Sequence, residues 1–220
     1  MTKLNQLILD FNFDQNFKDL DFYVSKSNEF AFNLINSWPK WEKNFLALSG
    51  EKFSGKSHLI KIFLDKFKGI KLDGKLISNK TLQEIKIHQN IVLENLNSSI
   101  DEKLLYSFLN LIEQDNKYLI VTSEIPVVDI NFKLEDLKSR LRNFILISIE
   151  KPDDDLLFAL IIKNLSDRQI IIDKRLINFI IKRVERSYGK ISEFIYKIDK
   201  ISLKRKKPID FKIIKEVLGE

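Results

Sequence analysis

Residues 50–57 read Gly50-Glu51-Lys52-Phe53-Ser54-Gly55-Lys56-Ser57, which is the spacing G-x-x-x-x-G-K-S. The apolar run at 45–48 before this stretch predicts a strand, and the apolar residues at 58–64 after it recur at helical spacing. A strand, a glycine loop and a helix form the context of a phosphate-binding loop. A chance glycine turn at the start of a helix is the alternative, but the chain has only 6 Gly among 220 residues, which argues against coincidence.

The residues of this loop have distinct expected roles. Gly50 and Gly55 let the backbone curl, so that the N–H groups of 50–57 point at one anion beside the positive end of a helix dipole. Lys56 is expected to reach the β- and γ-phosphates of a nucleotide, ADP or ATP. Ser57 is expected to hold Mg²⁺ through its hydroxyl.

Composition excludes several classes of function. With 44% hydrophobic residues the chain can bury a full core, and with no Cys and only two His, zinc chemistry is effectively excluded. No apolar run approaches the roughly 20 residues of a membrane span and the N-terminus lacks a signal pattern, so we expect no membrane association and a cytoplasmic location.

The net charge of +6 is a weak sign of a nucleic-acid partner, because the basic residues are spread along the chain. Lys is the habitual cation, and all seven Arg lie at or beyond position 140. Arg140 and Arg142 are therefore candidates for a role that needs the planar guanidinium fork.

Apolar patterns predict an α/β fold. A helix is expected from Ser25 until Trp38-Pro39 ends it, strands are expected at 45–49, 90–94, 118–122 and 144–148, and helices at 56–67 and 101–114. This alternation predicts a parallel sheet flanked by helices, with the site at the carboxyl ends of the strands.

Three parts of the chain are distinguished by their patterns. Residues 1–21 are expected to form an extended N-terminal arm, and 22–150 an αβ nucleotide-binding domain. After 151 only helical patterns remain, at about 153–166, 173–186, 190–203 and 210–218, and these predict a small all-helical lid domain over 151–220.

Two predicted strands end in polar residues. Glu94 is the candidate second Mg²⁺ ligand beside Ser57, whereas Asn95 cannot accept a proton, so the place of a water-activating base is expected to be unfilled. Thr122 and Ser123 could contact a γ-phosphate or its water. In each case the alternative is a strand that simply ends in polar residues at the rim of the sheet.

Three further segments have both a functional and an ordinary interpretation. Arg140 lies on a predicted short helix, where it either is a surface residue or reaches the nucleotide of a neighbouring subunit. Residues 6–11 form either an edge strand or a linear motif for a groove on a partner. Residues 204–207, Lys-Arg-Lys-Lys, are most simply a solvated turn, with a contact to a phosphate backbone as the alternative.

Together these segments resemble the bacterial DnaA family of AAA+ proteins, and within it the short DnaA-related regulators of the Hda type. The resemblance covers nearly the whole chain. It is carried by residues 22–31, by 50–59 as Walker A, by 119–123 as sensor 1, by 139–141 as the arginine-finger box and by 149–153 at the start of the lid. Residues 6–11 resemble the clamp-binding motif of Hda proteins. The chain ends after the lid, so we expect no initiator-type DNA-binding domain and no sequence-specific DNA binding.

The resemblance implies a function in the control of replication initiation. Hda proteins, loaded on the DNA polymerase sliding clamp, promote hydrolysis of the ATP bound to the initiator DnaA and so regulate initiation negatively. By carry-over, Arg140 is the arginine finger that acts in trans, and Thr122 and Ser123 form sensor 1. The anchors for the clamp are Gln6, Leu7, Leu9 and Phe11.

The chain also departs from the family pattern. The family's sensor 2 arginine is expected near Gly189, but this chain has no arginine there. Either Lys190 takes its place in the nucleotide site, or the contact is lost. Arg186, one turn earlier, is a weaker substitute. We therefore expect a regulator rather than an efficient ATPase. A self-sufficient P-loop ATPase that remodels another partner and a DNA-loading adaptor are the alternatives, and a homo-oligomer stays open.

Overall fold

The computed structural model describes residues 22–220. The predicted arm, 1–21, lies outside the described residues, and with it lie the predicted clamp anchors Gln6, Leu7, Leu9 and Phe11.

The αβ part contains a five-stranded sheet in which every neighbouring pair of strands is parallel, in the order β2-β3-β4-β1-β5. The strands are β1 (Phe45–Ser49), β2 (Ile70–Asp73), β3 (Asn90–Leu96), β4 (Tyr118–Ser123) and β5 (Ile145–Ser148). Four of them match predicted strands. The sequence analysis missed β2, because four residues with one exposed lysine are too short to show a period.

Helices cover both faces of the sheet. The helices of this part are α1 (Glu29–Asn36), α2 (Lys56–Phe67), α3 (Asn79–Glu84), α4 (Glu102–Gln114) and α5 (Glu135–Leu141). Alternate side chains of each strand point to opposite faces, so Leu46 and Leu48 pack towards α1 and α2, whereas Ala47 packs towards α4 and α5. The predicted sheet flanked by helices is thus confirmed.

The C-terminal helices build their own apolar core. They are α6 (Asp154–Asp167), α7 (Lys174–Ile181), α8 (Tyr188–Arg205) and α9 (Phe211–Leu218), and we call them the helical bundle. Buried Leu and Ile side chains of all four helices form one cluster. Aspartates cap three of these helices: Asp153, Asp173 and Asp210 each accept a hydrogen bond from a backbone N–H in the first turn.

Two of these helices differ from the predicted bounds. The sequence predicts a helix at 173–186, but α7 ends at Ile181, and α8 begins at Tyr188 rather than at 190. At the start of α8 the chain makes a contact with the phosphate-binding loop, which is far away in sequence and which no local pattern indicates.

A buried lysine closes the amino end of the sheet. Lys117, just before β4, is 6% exposed and its Nζ donates to the carbonyl oxygens of Ile85, Lys86 and His88 at 3.1, 2.6 and 3.1 Å. Asp115 lies 3.6 Å from the same ammonium. The charge of Lys117 is therefore fully coordinated by the protein itself.

Candidate functional site

The glycine loop lies at the carboxyl end of β1, between β1 and α2. Because β1 sits between β4 and β5, the loop opens where the chain connections diverge to the two sides of the sheet, which is where α/β folds bind ligands. Gly55 is the N-cap of α2 and has φ +92°, a left-handed conformation that other residues rarely adopt. A Cβ on Gly50 would lie 2.7 Å from Ser54 Oγ, so a larger residue there would require the Ser54 side chain to move.

Phe53 has an unusual conformation for a large side chain. Its φ is +66°, and its ring is 65% exposed at the outside of the loop. The ring packs against Gly189 of α8, where an added Cβ would come to 3.5 Å from Phe53 Cδ2. Phe53 therefore joins the loop to the helical bundle rather than pointing its ring into the sheet.

Lys56 bends back onto the loop. Its Nζ donates to the carbonyl oxygens of Gly50 and Glu51 at 2.6 and 2.8 Å. Burial lowers the pKa of Lys56 below its ordinary value, although the charges of Glu124, Glu51 and Glu94 act in the opposite direction. A phosphate group beside Nζ would favour the charged form of Lys56, because an anion close to a desolvated ammonium stabilises it.

Two buried oxygens at the site have no hydrogen-bond partner within the described chain. They are Ser54 Oγ inside the loop and Glu94 Oε1 at the carboxyl end of β3. The other carboxylate oxygen of Glu94, Oε2, lies 3.2 Å from Lys71 Nζ. Since buried polar atoms are normally paired, these two oxygens indicate a site made for a polar ligand, and they fit a phosphate group with its cation.

Hydrogen bonds within the protein engage the polar ends of β3 and β4. Thr122 Oγ1 accepts from the backbone N of Asn95 at 3.2 Å, and Ser123 Oγ donates to the carbonyl of Ile125 at 2.6 Å. The side chain of Asn95 donates to Asp73 at 3.1 Å. Asp73 ends β2, so it was missed together with that strand. The side chain of Asn95 is thus directed along the edge of the sheet towards β2.

A long cleft runs from the loop along the underside of the helical bundle. Its volume is about 2510 Å³, more than the roughly 300–1,000 Å³ of an ordinary small-molecule pocket. The loop residues 52–57 line it, with Asn95 and Ser123. Residues 22–24 and Tyr188 of α8 also line it. The sequence analysis did not assign these last residues to the site, because their closeness depends on how the helical bundle docks.

The carboxylate of Glu51 connects the loop to the helical bundle. Its Oε1 accepts from the backbone N of Tyr188 at 2.7 Å and its Oε2 accepts from Ser187 Oγ at 3.1 Å. Glu51 thereby supplies the negative charge that the N-terminus of α8 favours. Tyr188 in turn donates through its hydroxyl to the carbonyl of Glu150 at 3.1 Å, and burial raises the pKa of Tyr188 to about 12.

The two basic candidates for sensor 2 lie outside the cleft lining. Lys190 is on the exposed side of the first turn of α8, with its Nζ 3.6 Å from Glu193, where it borders a shallow groove beside Phe53. Arg186 pairs with Asp154 at 2.6 Å. Both cations are thus held by carboxylates of the helical bundle.

Arg140 lies on α5, away from the cleft lining. Its guanidinium pairs with Glu113 of α4 and stacks over the ring of Tyr106, 5.0 Å from the ring centre. The hydrogen bond to Glu113 raises the pKa of Arg140. The side chain stays partly exposed, whereas the carboxylate that holds it is mostly in solvent.

Two searches of residues 22–220 were negative. No cluster of three or more His, Cys, Asp or Glu side chains is placed to hold a metal ion. No helix in this range is both long enough and apolar enough to cross a membrane.

The parallel sheet, its glycine loop after β1 and the following helical bundle define the AAA+ class of P-loop NTPase folds. Domain III of the Thermotoga maritima replication initiation protein DnaA superposes with a TM-score of 0.73 at 16% identity, covering 94% of this chain and 97% of that one. AMPPCP-bound DnaA from Aquifex aeolicus gives 0.69 at 18% identity, covering 88% and 69%.

Sequence similarity leads to the same group of proteins. The chromosomal replication initiator DnaA of Buchnera aphidicola subsp. Cinara cedri is 23% identical over 250 aligned positions, which cover 98% of this chain and 55% of that protein. No protein-family model matches the chain. Both comparisons thus relate the chain to DnaA proteins, and it spans about half the length of the curated relatives it matches.

Proposed function

We propose that this chain is a nucleotide-binding AAA+ regulator of bacterial replication initiation. Bound to the DNA polymerase sliding clamp through Gln6, Leu7, Leu9 and Phe11, it promotes hydrolysis of the ATP held by DnaA. Its partners are then DnaA and the clamp, its location is the cytoplasm, and its role in initiation is negative.

The position of Arg140 carries this proposal. The residue lies outside the lining of the chain's own cleft, on a short helix where its guanidinium is partly exposed. A guanidinium that cannot serve its own loop is suited to act in trans on the γ-phosphate of a neighbour. Relatedness to DnaA makes a DnaA subunit the natural neighbour.

The chain's own nucleotide, ADP or ATP with Mg²⁺, is proposed to set its conformation. The loop N–H groups and Lys56 hold the phosphates, and Ser57 and Glu94 hold the cation. Thr122 and Ser123 act as sensor 1 and Lys190 takes part from the bundle. The bound cation would balance phosphate charge. Asn95 supplies no base for water, which favours holding a nucleotide over hydrolysing it.

The test is hydrolysis of DnaA-bound ATP, measured with and without this protein and DNA-loaded clamp. We expect Arg140→Ala to lower the stimulated rate by about 10³-fold while clamp binding in a pull-down is unchanged. Arg142→Ala is the matched control, because Arg142 is the exposed C-cap residue of the same helix. Equal stimulation by wild type and the Arg140 variant would disprove the finger assignment.

The second candidate is a self-sufficient ATPase. The unpartnered Oε1 of Glu94 favours it, because a carboxylate at that place can help to hold a catalytic cation. Steady ATP turnover by the isolated protein, lost in Lys56→Ala and independent of Arg140, would decide for this function over the regulator.

A further inference from the structure

The formal charge of the molecule is divided unevenly between its two parts. Residues 1–150 contain 20 Lys and Arg and 20 Asp and Glu, whereas 151–220 contain 17 and 11, so the whole net charge of +6 belongs to the C-terminal part. A general enrichment in Lys would raise both parts alike. The excess in the helical bundle therefore needs its own explanation.

The excess collects at one end of the helical bundle. Six lysines there are exposed and make no ion pair within the described chain, and they come from the second half of α8, the connection after it and α9. They are Lys200, Lys204, Lys206, Lys207, Lys212 and Lys215. We call these six residues the basic end.

Two lysines of the basic end lie on one face of α8, and α9 is held beside the end of that helix. Lys197, Lys200 and Lys204 follow each other at spacings of three and four, so they share a face of α8 over about 10 Å. The connection then turns back, and Arg205 of α8 binds Glu216 of α9 through two hydrogen bonds of 2.7 Å. This pairing holds α9 beside the end of α8, and it leaves the carboxylate of Glu216 paired with Arg205.

We propose that the basic end binds the phosphate backbone of duplex DNA without regard to sequence. Duplex DNA presents about one negative charge per 1.7 Å of its axis, so a row of lysines of this length faces several phosphates at once. Two aspartates lie within this stretch and both have partners: Asp199 is paired with Arg168 at 3.5 Å, and the exposed Asp210 accepts a hydrogen bond from the backbone N of Ile213.

Other partners fit this surface less well. Lysine is depleted in the core of protein interfaces. An anionic membrane favours helices that offer a wide apolar face, but most apolar side chains of α8 and α9 are buried in the bundle core, which leaves the separate side chains of Tyr196, Leu203 and Phe211 exposed. Single strands are bound by stacking on free aromatic rings. Here the two exposed rings each have a contact within the chain: Lys200 lies over the ring of Tyr196 at 5.8 Å, and Phe211 packs edge-on against Phe179.

The test is fluorescence anisotropy of two unrelated labelled 20-bp duplexes with the full chain, between 50 and 200 mM NaCl. We expect the same dissociation constant for both, about 10⁻⁴–10⁻⁶ M at physiological salt, and a steep linear fall of log affinity with log salt. The variant with Lys204→Gln, Lys207→Gln and Lys212→Gln takes one lysine from each of the three segments. It should weaken binding at least about tenfold and reduce the slope by about 2 to 3.

The matched control removes three exposed lysines from the αβ part, as Lys43→Gln, Lys86→Gln and Lys103→Gln, and has the same net charge. It should bind as wild type does, and circular dichroism should give both variants the wild-type melting temperature. Equal weakening by the two triple variants, or no duplex binding at 50 mM salt, would overturn the proposal. So would tighter binding of a single-stranded 20-mer that the first variant keeps, or capture by phosphatidylglycerol vesicles without duplex binding.

Discussion

The molecule holds the two cations that we propose to be functional in opposite ways. Lys56 lies in a cleft among buried oxygens that have no partner in the described chain, and it rests on two carbonyl groups of its own loop. Arg140 lies on the surface, and an ion pair and an aromatic ring already satisfy it. The loop thus leaves polar atoms available to a ligand, whereas Arg140 would have to leave its present partners before it could take up a new one.

The strongest way to test the loop side is Lys56→Ala. We expect nucleotide affinity to fall about 100-fold, because a charged hydrogen bond to phosphate contributes about 3 kcal/mol. Equilibrium binding of a fluorescent ADP analogue measures this loss. Lys52→Ala is the control, since the side chain of Lys52 is exposed and forms a surface ion pair with Glu124 at 3.7 Å. If both variants bind the ADP analogue equally well, the proposed role of Lys56 in phosphate binding is wrong.

Glu51→Ala tests whether the loop and the helical bundle act as one unit. The variant removes the acceptor of Tyr188 N and Ser187 Oγ, so the first turn of α8 should open more easily. A lost charged acceptor of about 1.5–3 kcal/mol implies about tenfold or faster amide hydrogen exchange there. Glu124→Ala removes another carboxylate near the loop that makes no contact with α8. Unchanged exchange in the Glu51 variant would show that the contact has no energetic weight.

The pKa of Tyr188 gives a pH test of the same junction. Because folding raises the pKa from 10.0 to about 12, the unfolded chain loses this proton first, and the free energy of unfolding should fall as the pH rises from 10 to 12. The expected fall is about 1 to 2 kcal/mol. Denaturant titrations of wild type and Tyr188→Phe should show this component in wild type alone. A Tyr196→Phe control should retain it, and a component that persists in Tyr188→Phe contradicts the assignment.

The smallest expected effect belongs to the partner of Arg140. Glu113→Gln removes an exposed ion pair of about 0.2–1 kcal/mol, so stimulation of DnaA-bound ATP hydrolysis should rise, at most about fivefold. Glu135→Gln is the control, since Glu135 pairs with Lys138 on the same helix and leaves Arg140 untouched. A lower rate in the Glu113 variant would mean that Glu113 positions Arg140 for its task instead of restraining it.

Local signals in the sequence were enough for the loop, four strands and the alternation of strand and helix. Glycine spacing and apolar periods are properties of neighbouring residues, and these were correct. The contacts of Glu51 with Ser187 and Tyr188 join residues more than 130 positions apart, and the pairing of Arg140 with Glu113 depends on how α5 packs on α4. The spacing of apolar residues along the sequence does not predict such pairs, because they form only when whole helices and loops pack against each other. The roles of the predicted site residues stay predictions.

Two lysines, Lys56 and Lys117, donate hydrogen bonds to backbone carbonyl groups, and they differ in whether a ligand could replace these partners. Lys117 has three carbonyl partners at the far end of the sheet and is a permanent part of the scaffold. Lys56 has two, both on the loop that we propose to bind phosphate. Binding there is a competition, in which an incoming oxygen replaces an internal one. The measured affinity then reports a difference between two similar bonds, so a small shift of the Gly50 and Glu51 carbonyls would set the nucleotide concentration at which the protein responds.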